Sequence, residues 1–379
     1  MSVSFQQLAA AIHDSPTRIV MAMAGGGSRA AAELLEVPGA SRSVLEVLVP
    51  YHPAAMEAFL GGQPDQLCAE PVGRAMAMAA YLRAHRYAAG RWPIAGVACT
   101  AALATERPKR GPHRAHLALQ DDRQTVSWSI ELAKEKRSRK EEEAVVGALL
   151  LNLVAEACGV DQRIDAGLRP DEQLHTTRTV APPAWQDLLA GRTNAVRHGP
   201  TANQPDRPPV LFPGAFNPLH QGHRRMAQIA EGRLGQPVEF EISVLNVDKP
   251  PLDFREMETR LAQFSAGQTV WLTRTPTFLA KAAQFPGAIF VVGTDTLARI
   301  ADPRYYGGDQ AACQAALETI ARLGCRFLVF GRNLGQGFVQ LCDLDLLPVL
   351  KDRCMAVAEH EFREDVSSTE LRSGPAPEK

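Results

Sequence analysis

The chain has 379 residues, more than one ordinary single-core domain, with 41 basic and 42 acidic side chains for a formal net charge of -1. That balance argues against a general nucleic-acid-binding surface and leaves room only for a local basic pocket. Seven widely spaced cysteines, with no Cys-x-x-Cys pair and no histidines at zinc spacing, read as small hydrophobes in a reducing compartment. The opening MSVSFQQLAAAIHDSPTR lacks a cationic start before an apolar core, and no later apolar run reaches membrane-spanning length. A soluble cytoplasmic protein without a membrane partner is expected.

In chain order, Phe5 to Ile12 has helical spacing, and Arg18 to Met23 reads as a strand. The glycine turn Gly25 to Gly27 leads into the alanine- and leucine-rich Arg29 to Leu35, which stops before Pro38-Gly39. Apolar runs at Val44 to Val49, Ile94 to Cys99 and Ala115 to Leu119 predict further strands. Helical patterns cover Gly73 to Ala84 and Glu141 to Ala157. Residues 1–160 therefore read as an α/β domain. The mixed charge run Lys134 to Glu143 predicts a solvated loop and helix start.

Residues 161–208 are proline-rich and irregular, with one short helix at Trp185 to Leu189, and read as a connection. A second α/β pattern fills 209–379. Its strands are expected at Val210 to Phe212, Val238 to Val244, Thr269 to Leu272, Ala288 to Val292 and Arg326 to Phe330. Helices are expected at His223 to Leu234, Phe254 to Phe264, Phe278 to Ala283 and Cys313 to Leu323.

The chemistry concentrates in this second half. Val210 to Phe212 would deliver the chain to the carboxyl edge of a sheet, where open α/β folds place ligands. Gly214 permits close backbone approach, and Asn217-Pro218 shapes the loop. His220 and His223, three apart, share a face if a helix begins near Leu219, with Gly222 leaving room between them. Two imidazoles beside the exposed amides of a helix start make a receptor for phosphoryl oxygens. No carboxylate or third histidine stands at a telling distance, so no protein-held metal is expected. Near the end, Val366 to Arg372 (VSSTELR) offers Ser367, Ser368 and Thr369 to amides or phosphate, and Arg372 to neutralise a triphosphate. A plain helix cap is the alternative. Phe290 to Leu297 would end a strand in Gly293-Thr294-Asp295, placing a carboxylate at the same edge or capping the next helix.

GAFNPLHQGH, residues 214–223, resembles the G-x-F-x-P-x-H-x-G-H motif of the nucleotidylyltransferase superfamily at six fixed positions, and Val366 to Arg372 resembles its I-S-S-T-x-(I/L)-R signature. Gly293 and Asp295 resemble the G-x-D segment of nicotinamide and nicotinate mononucleotide adenylyltransferases, which helps hold the nucleotide ribose. Arg274 to Phe278 is similar to the segment around that family's pyridine-nucleotide site, where Phe278 would stack on a ring or pack in the core. Where that family has a threonine-rich helix start, this chain has Leu279 to Ala283.

The resemblance implies a Rossmann-like domain with a parallel sheet, in which a mononucleotide phosphate attacks the α-phosphorus of ATP and pyrophosphate leaves. Nicotinamide mononucleotide giving NAD is the most concrete acceptor. Transfer of an adenylyl or cytidylyl group to another phosphorylated small molecule, or a silent nucleotide-binding regulator, are the alternatives. His220, His223 and Arg372 would be catalytic. Gly214, Ala215, Phe216, Lys249, Gly293, Asp295, Ser367, Ser368 and Thr369 would hold the nucleotide, and Arg274 and Phe278 the acceptor. Lys249 follows a strand and could equally be a solvated surface lysine. Magnesium is implied as a companion of ATP, held mostly by ATP oxygens and water.

Phe5 to Cys158 resembles the competence-damage protein C-terminal domain, whose catalytic members are nicotinamide-nucleotide amidases. The likeness lies in the strand, glycine turn and helix, Val37 to Ser41, Tyr51 and Glu70-Pro71-Val72. Where that family reads Glu-Ser-Cys-Thr-Gly-Gly, this chain has Met23 to Ser28, placing Ala24, which has no hydroxyl, at the nucleophile position. Met56 aligns with the activating lysine, Thr100 to Thr105 replaces a Thr-Gly-x-Ala-Gly-Pro loop, and Arg114 stands in place of a glycine. Ser28 has no base in register. A domain without amidase activity is expected, its alanine-rich helices serving self-association or simply filling their own core.

Overall fold

The computed structural model describes residues 3–88, 90–107, 109–200, 207–333 and 337–363. The chain forms two compact units, Met1–Ala190 with Val247–Glu256, and Gly191–Asn246 with Met257–Lys379.

The N-terminal unit contains strands β1 (Arg18–Ala24), β2 (Val44–Leu48), β3 (Ile94–Ala102), β4 (His113–Gln120), β5 (Gln124–Leu132) and β6 (His175–Val180). Its helices are α1 (Phe5–Asp14), α2 (Ser28–Glu36), α3 (Pro53–Leu60), α4 (Glu70–Ala88), α5 (Arg139–Ala157) and α6 (Pro183–Leu189). The sheet runs β2-β1-β3-β4-β5-β6. β2, β1 and β3 are parallel, whereas β3 to β6 pair antiparallel. Strand alternation sorts the residues: Ile19, Met21, Val97, Leu117 and Trp128 meet Leu8, Ile12, Leu34 and Leu150 of α1, α2 and α5 in one core. The other face carries α4. It packs so closely that a Cβ on Gly96 would lie 2.1 Å from the carbonyl oxygen of Ala77.

Segment 247–256 belongs to this unit through a buried charge cluster. Arg74 Nη1 donates to both oxygens of Asp253 at 2.7 and 2.8 Å, and Nη2 to Glu256 at 3.1 Å. Arg74 is 3% and Asp253 2% exposed, so each charge depends on the other for solvation lost on burial. Beside them Phe254 stacks on Trp185 at 6.4 Å, and its N–H donates to Thr125 Oγ1 at 3.1 Å.

In the C-terminal unit, β7 (Ala195–His198), β8 (Val210–Pro213), β9 (Val238–Ser243), β10 (Thr269–Thr273), β11 (Ile289–Gly293), β12 (Arg326–Phe330) and β15 (Cys354–Val357) form one sheet, while β13 (Arg332–Asn333) and β14 (Phe338–Val339) pair as a small ribbon. Around them lie α7 (Gln221–Leu234), α8 (Phe254–Leu261), whose first residues belong to the N-terminal unit, α9 (Phe278–Gln284), α10 (Thr294–Ile300), α11 (Gln310–Arg322) and α12 (Pro348–Lys351). The sheet order is β15-β12-β11-β8-β9-β10-β7, parallel except for β7. Leu211, Phe290 and Phe327 share one core with Leu317 and Ile320. Phe212, the next residue after Leu211, and its cross-strand neighbour Phe240 instead form an aromatic cluster with Phe216 and Phe264.

The expected strands and long helices form. Residues 161–208, read as irregular, contribute β6 to one sheet and β7 to the other, because edge strands need a paired neighbour more than a strong local pattern. The Lys134 to Glu143 run is not wholly solvated. Glu142 is 0% exposed, bonded to His113 Nδ1 at 2.7 Å and to the Ala104 N–H at 2.6 Å.

Candidate functional site

The chain leaves β8 toward β9 and β10 on one side, then returns to β11 on the other. The carboxyl ends of β8 and β11 therefore bound a switch point, the position at which a parallel α/β sheet opens a crevice. Three segments reach it: Gly214 to His223 after β8, Gly293 to Asp295 after β11, and Arg332 after the neighbouring β12.

The turn after β8 is shaped by Phe216. Its φ of 44° lies in the left-handed region that non-glycine residues rarely adopt, and its 1% exposed ring is held against Phe212, Phe240, Phe264 and His223. Gly214 is required because a Cβ there would lie 2.5 Å from that ring. The close approach expected at Gly214 is thus made by the chain's own phenyl group. Main-chain groups of the turn are clamped as well: Arg260 donates to the Ala215 carbonyl at 3.0 Å, and Gln263 bonds the Phe216 carbonyl and Leu219 N–H, each at 2.8 Å. Neither Arg260 nor Gln263 is marked by any local motif.

His220 is the N-cap of α7, and Gly222 is buried in its first turn. The two imidazoles stack with centroids 3.7 Å apart and planes at 27°. The His220 N–H donates to His223 Nδ1 at 3.3 Å, which leaves the proton of a neutral His223 on Nε2. Burial, followed by the charges of His220 and Arg332, pulls the His223 pKa down to about 3. At neutral pH the ring is therefore an uncharged N–H donor.

Asp295 does not cap α10, whose N-cap is Gly293 without a side-chain bond. Instead Asp295 Oδ2 accepts from Arg332 Nη1 at 3.2 Å, while its buried Oδ1 has no hydrogen-bond partner among the described residues. A Cβ at Gly293 would crowd that oxygen at 2.6 Å. Arg332, which no sequence motif marks, brings a guanidinium to the same edge as the histidines. The only sequence signal is its place just after a buried strand.

The remaining predicted residues are dispersed. Arg274 lies after β10, its N–H bonded to the Asn194 carbonyl at 2.9 Å. Phe278 packs edge-on against Phe290 at 5.4 Å. Lys249 falls in the segment that belongs to the N-terminal unit. Ser367, Ser368, Thr369 and Arg372 lie outside the described residues.

In the N-terminal unit, the glycine turn before α2 is filled by a side chain of the protein itself. Glu143 accepts from the Gly27 N–H at 3.0 Å, the Ser28 hydroxyl at 2.9 Å and the Arg29 N–H at 3.1 Å. The donors that could receive an external anion at this helix start are thus bonded to a carboxylate. Met56 is buried, and Thr100 donates to the Leu67 carbonyl at 2.7 Å. A cavity of about 950 Å³ lies nearby, lined by Arg107, Lys109, His113, Lys134 and Arg139 among others.

Comparison with known proteins gave one family model and several solved structures. Residues 211–374 match the family model described as cytidylyltransferase-like. Solved structures matched include the competence/damage inducible protein CihA of Agrobacterium tumefaciens, at 19% identity over 41% of this chain and 98% of that one, with a TM-score of 0.33. CinA superfamily proteins of Escherichia coli (18% identity, 41% and 88% covered, TM-score 0.31) and Klebsiella pneumoniae (13%, 41% and 95%, 0.33) match similarly. No curated protein matches the chain. Among the described residues, no helix is long and apolar enough to cross a membrane.

Proposed function

We propose that the C-terminal unit transfers a nucleotidyl group from a nucleoside triphosphate to a phosphate-bearing small molecule. The observation that supports this reading is the neutral His223 donor stacked on His220 at the start of α7, with the Arg332–Asp295 pair at the same switch point. An acceptor phosphate oxygen attacks the α-phosphorus. The new P–O bond forms as the bond to the β-phosphate bridging oxygen breaks, and pyrophosphate carries away the electron pair. The attacking oxygen is already anionic, so the site has to align and neutralise rather than remove a proton.

In this reading His220, His223 and the first amides of α7 receive the triphosphate oxygens, and Arg332 adds a cation that Asp295 orients. Ser367, Ser368, Thr369 and Arg372 are proposed as further ligands of the nucleotide and the leaving pyrophosphate. Among the described residues no group of three His, Cys, Asp or Glu side chains could hold a metal. Magnesium is proposed to be carried on the nucleotide's own oxygens, where it would shield the phosphate charge.

The finer proposal is ATP as donor and nicotinamide mononucleotide as acceptor. The cytidylyltransferase-like match makes CTP the second donor to test. We assign no amidase activity to the N-terminal unit, since Ala24 lacks a nucleophile and Glu143 fills the glycine turn.

The test is a panel of ATP and CTP against nicotinamide and nicotinate mononucleotides, pantetheine phosphate and phosphorylated alcohols, read by product mass and pyrophosphate release. A product from at least one pair, with His223→Ala folded but slower by about 10² to 10³-fold, is the expected result. Nucleotide binding with no product from any pair would instead identify a silent nucleotide-binding regulator.

A further inference from the structure

We propose that Lys281 is a positioning residue for the acceptor side of the candidate site, acting through a buried ion pair with Glu241; this rests on the nucleotidyl-transfer reading above. Lys281 is 5% and Glu241 1% exposed. The Lys281 ammonium donates at 2.8 Å to each Glu241 oxygen and at 2.8 Å to the main-chain carbonyl of Thr275. Three donors meet three acceptors, so this lysine has no donor left for a phosphate.

A buried ion pair is a poor source of stability, because desolvation offsets most of the attraction and apolar residues of similar volume do as well. What the pair supplies is direction. Glu241, on β9, also accepts from the Thr273 hydroxyl at the end of β10, and Thr273 in turn bonds the Thr275 hydroxyl at 2.7 Å. Its main-chain carbonyl accepts from the Gly214 N–H at 2.9 Å. One residue on β9 thereby ties the turn that leads to the histidines to the turn Arg274 to Thr277.

That second turn is also held at its two ends. The Arg274 N–H bonds Asn194, and Thr277 caps α9 through the Ala280 N–H at 3.2 Å. Lys281, one helical turn further on, holds the carbonyl between them. Arg274 is the cation this turn carries at the sheet's carboxyl edge, so its placement bears on an acceptor bearing a phosphate.

The test uses the full chain and three variants. Lys281→Met/Glu241→Leu removes both charges and keeps the volume. Lys281→Met leaves the carboxylate buried alone, and Lys281→Arg keeps the charge with a different reach. Two readouts are taken: KM for acceptor and for nucleotide, using whichever pair the panel identifies, and hydrogen exchange of peptides spanning 273–281. The double variant is expected to melt near the wild type, to exchange about tenfold faster in that span, and to raise acceptor KM by about tenfold with nucleotide KM unchanged.

Wild-type exchange and wild-type acceptor KM in the double variant would overturn the proposal. So would equal rises in both KM values, which indicate general loosening. If the double variant does not fold, Lys281→Arg decides by the same readouts. If the wild-type protein turns over no acceptor, the nucleotidyl-transfer reading fails by itself, and with it the acceptor role; unchanged exchange at 273–281 would then separately reject the positioning of the turn.

Discussion

At the scale of single residues, the site depends on side chains pressed into each other's space. Gly214 exists to admit the Phe216 ring, so Gly214→Ala is expected to cost about 1–3 kcal/mol in urea denaturation by overpacking. His223 makes a second prediction. Its ordinary pKa is 6.5 and burial lowers it to about 3, so between those values the unfolded chain binds a proton that the folded one does not. Its contribution is therefore fully present above pH 6.5 and is lost as pH falls toward 3. The urea midpoint of the wild type should drop more steeply across that window than that of His223→Gln, and parallel slopes would rule the assignment out. His220 and His223 were legible in the sequence because the motif that contains them is contiguous. The Phe216 conformation and the Arg332 neighbourhood were not, since they arise from residues that meet only after β8, β9 and β12 align.

At the scale of elements, both glycine turns changed meaning once their neighbours were in place. The turn before α2 looks open in the sequence, yet Glu143, over a hundred residues later, supplies the carboxylate that completes the helix start. Glu143→Ala is expected to destabilise the N-terminal unit by about 1–2 kcal/mol through loss of that cap, measured by chemical denaturation. Arg74 carries a larger expected effect. Arg74→Ala leaves Asp253 buried without its cation and should cost about 3–5 kcal/mol, a loss that a surface ion pair would not show. Strands with strong patterns are legible in the sequence, β5 included: Val126, Trp128, Ile130 and Leu132 alternate with polar residues. Short edge strands such as β7 and β15 offer no comparable pattern, because pairing rather than local periodicity makes them.

At the scale of the whole molecule, the two units do not divide the sequence at a single point. The chain leaves the C-terminal unit after Asn246, contributes 247–256 to the N-terminal unit, and resumes at Met257. Leu252, Asp253 and Phe254 are all buried there, at 3%, 2% and 0% exposure. A fragment spanning 209–379 would carry that apolar segment without its cover. It should self-associate on size exclusion where the full chain does not at the same concentration, and a fully monomeric, cooperatively melting fragment would contradict the division of units.

By itself the sequence determined what depends on neighbours along the chain: strand and helix periods, the histidine turn, and the absence of a nucleophile at Ala24. Tertiary structure alone decided which charges are buried together, as in Arg74 with Asp253 and Lys281 with Glu241, and where Arg332 and Glu143 act. The physical reason is range. Backbone preference and side-chain periodicity act over a few residues, whereas desolvation makes a buried charge seek a partner wherever the fold brings one.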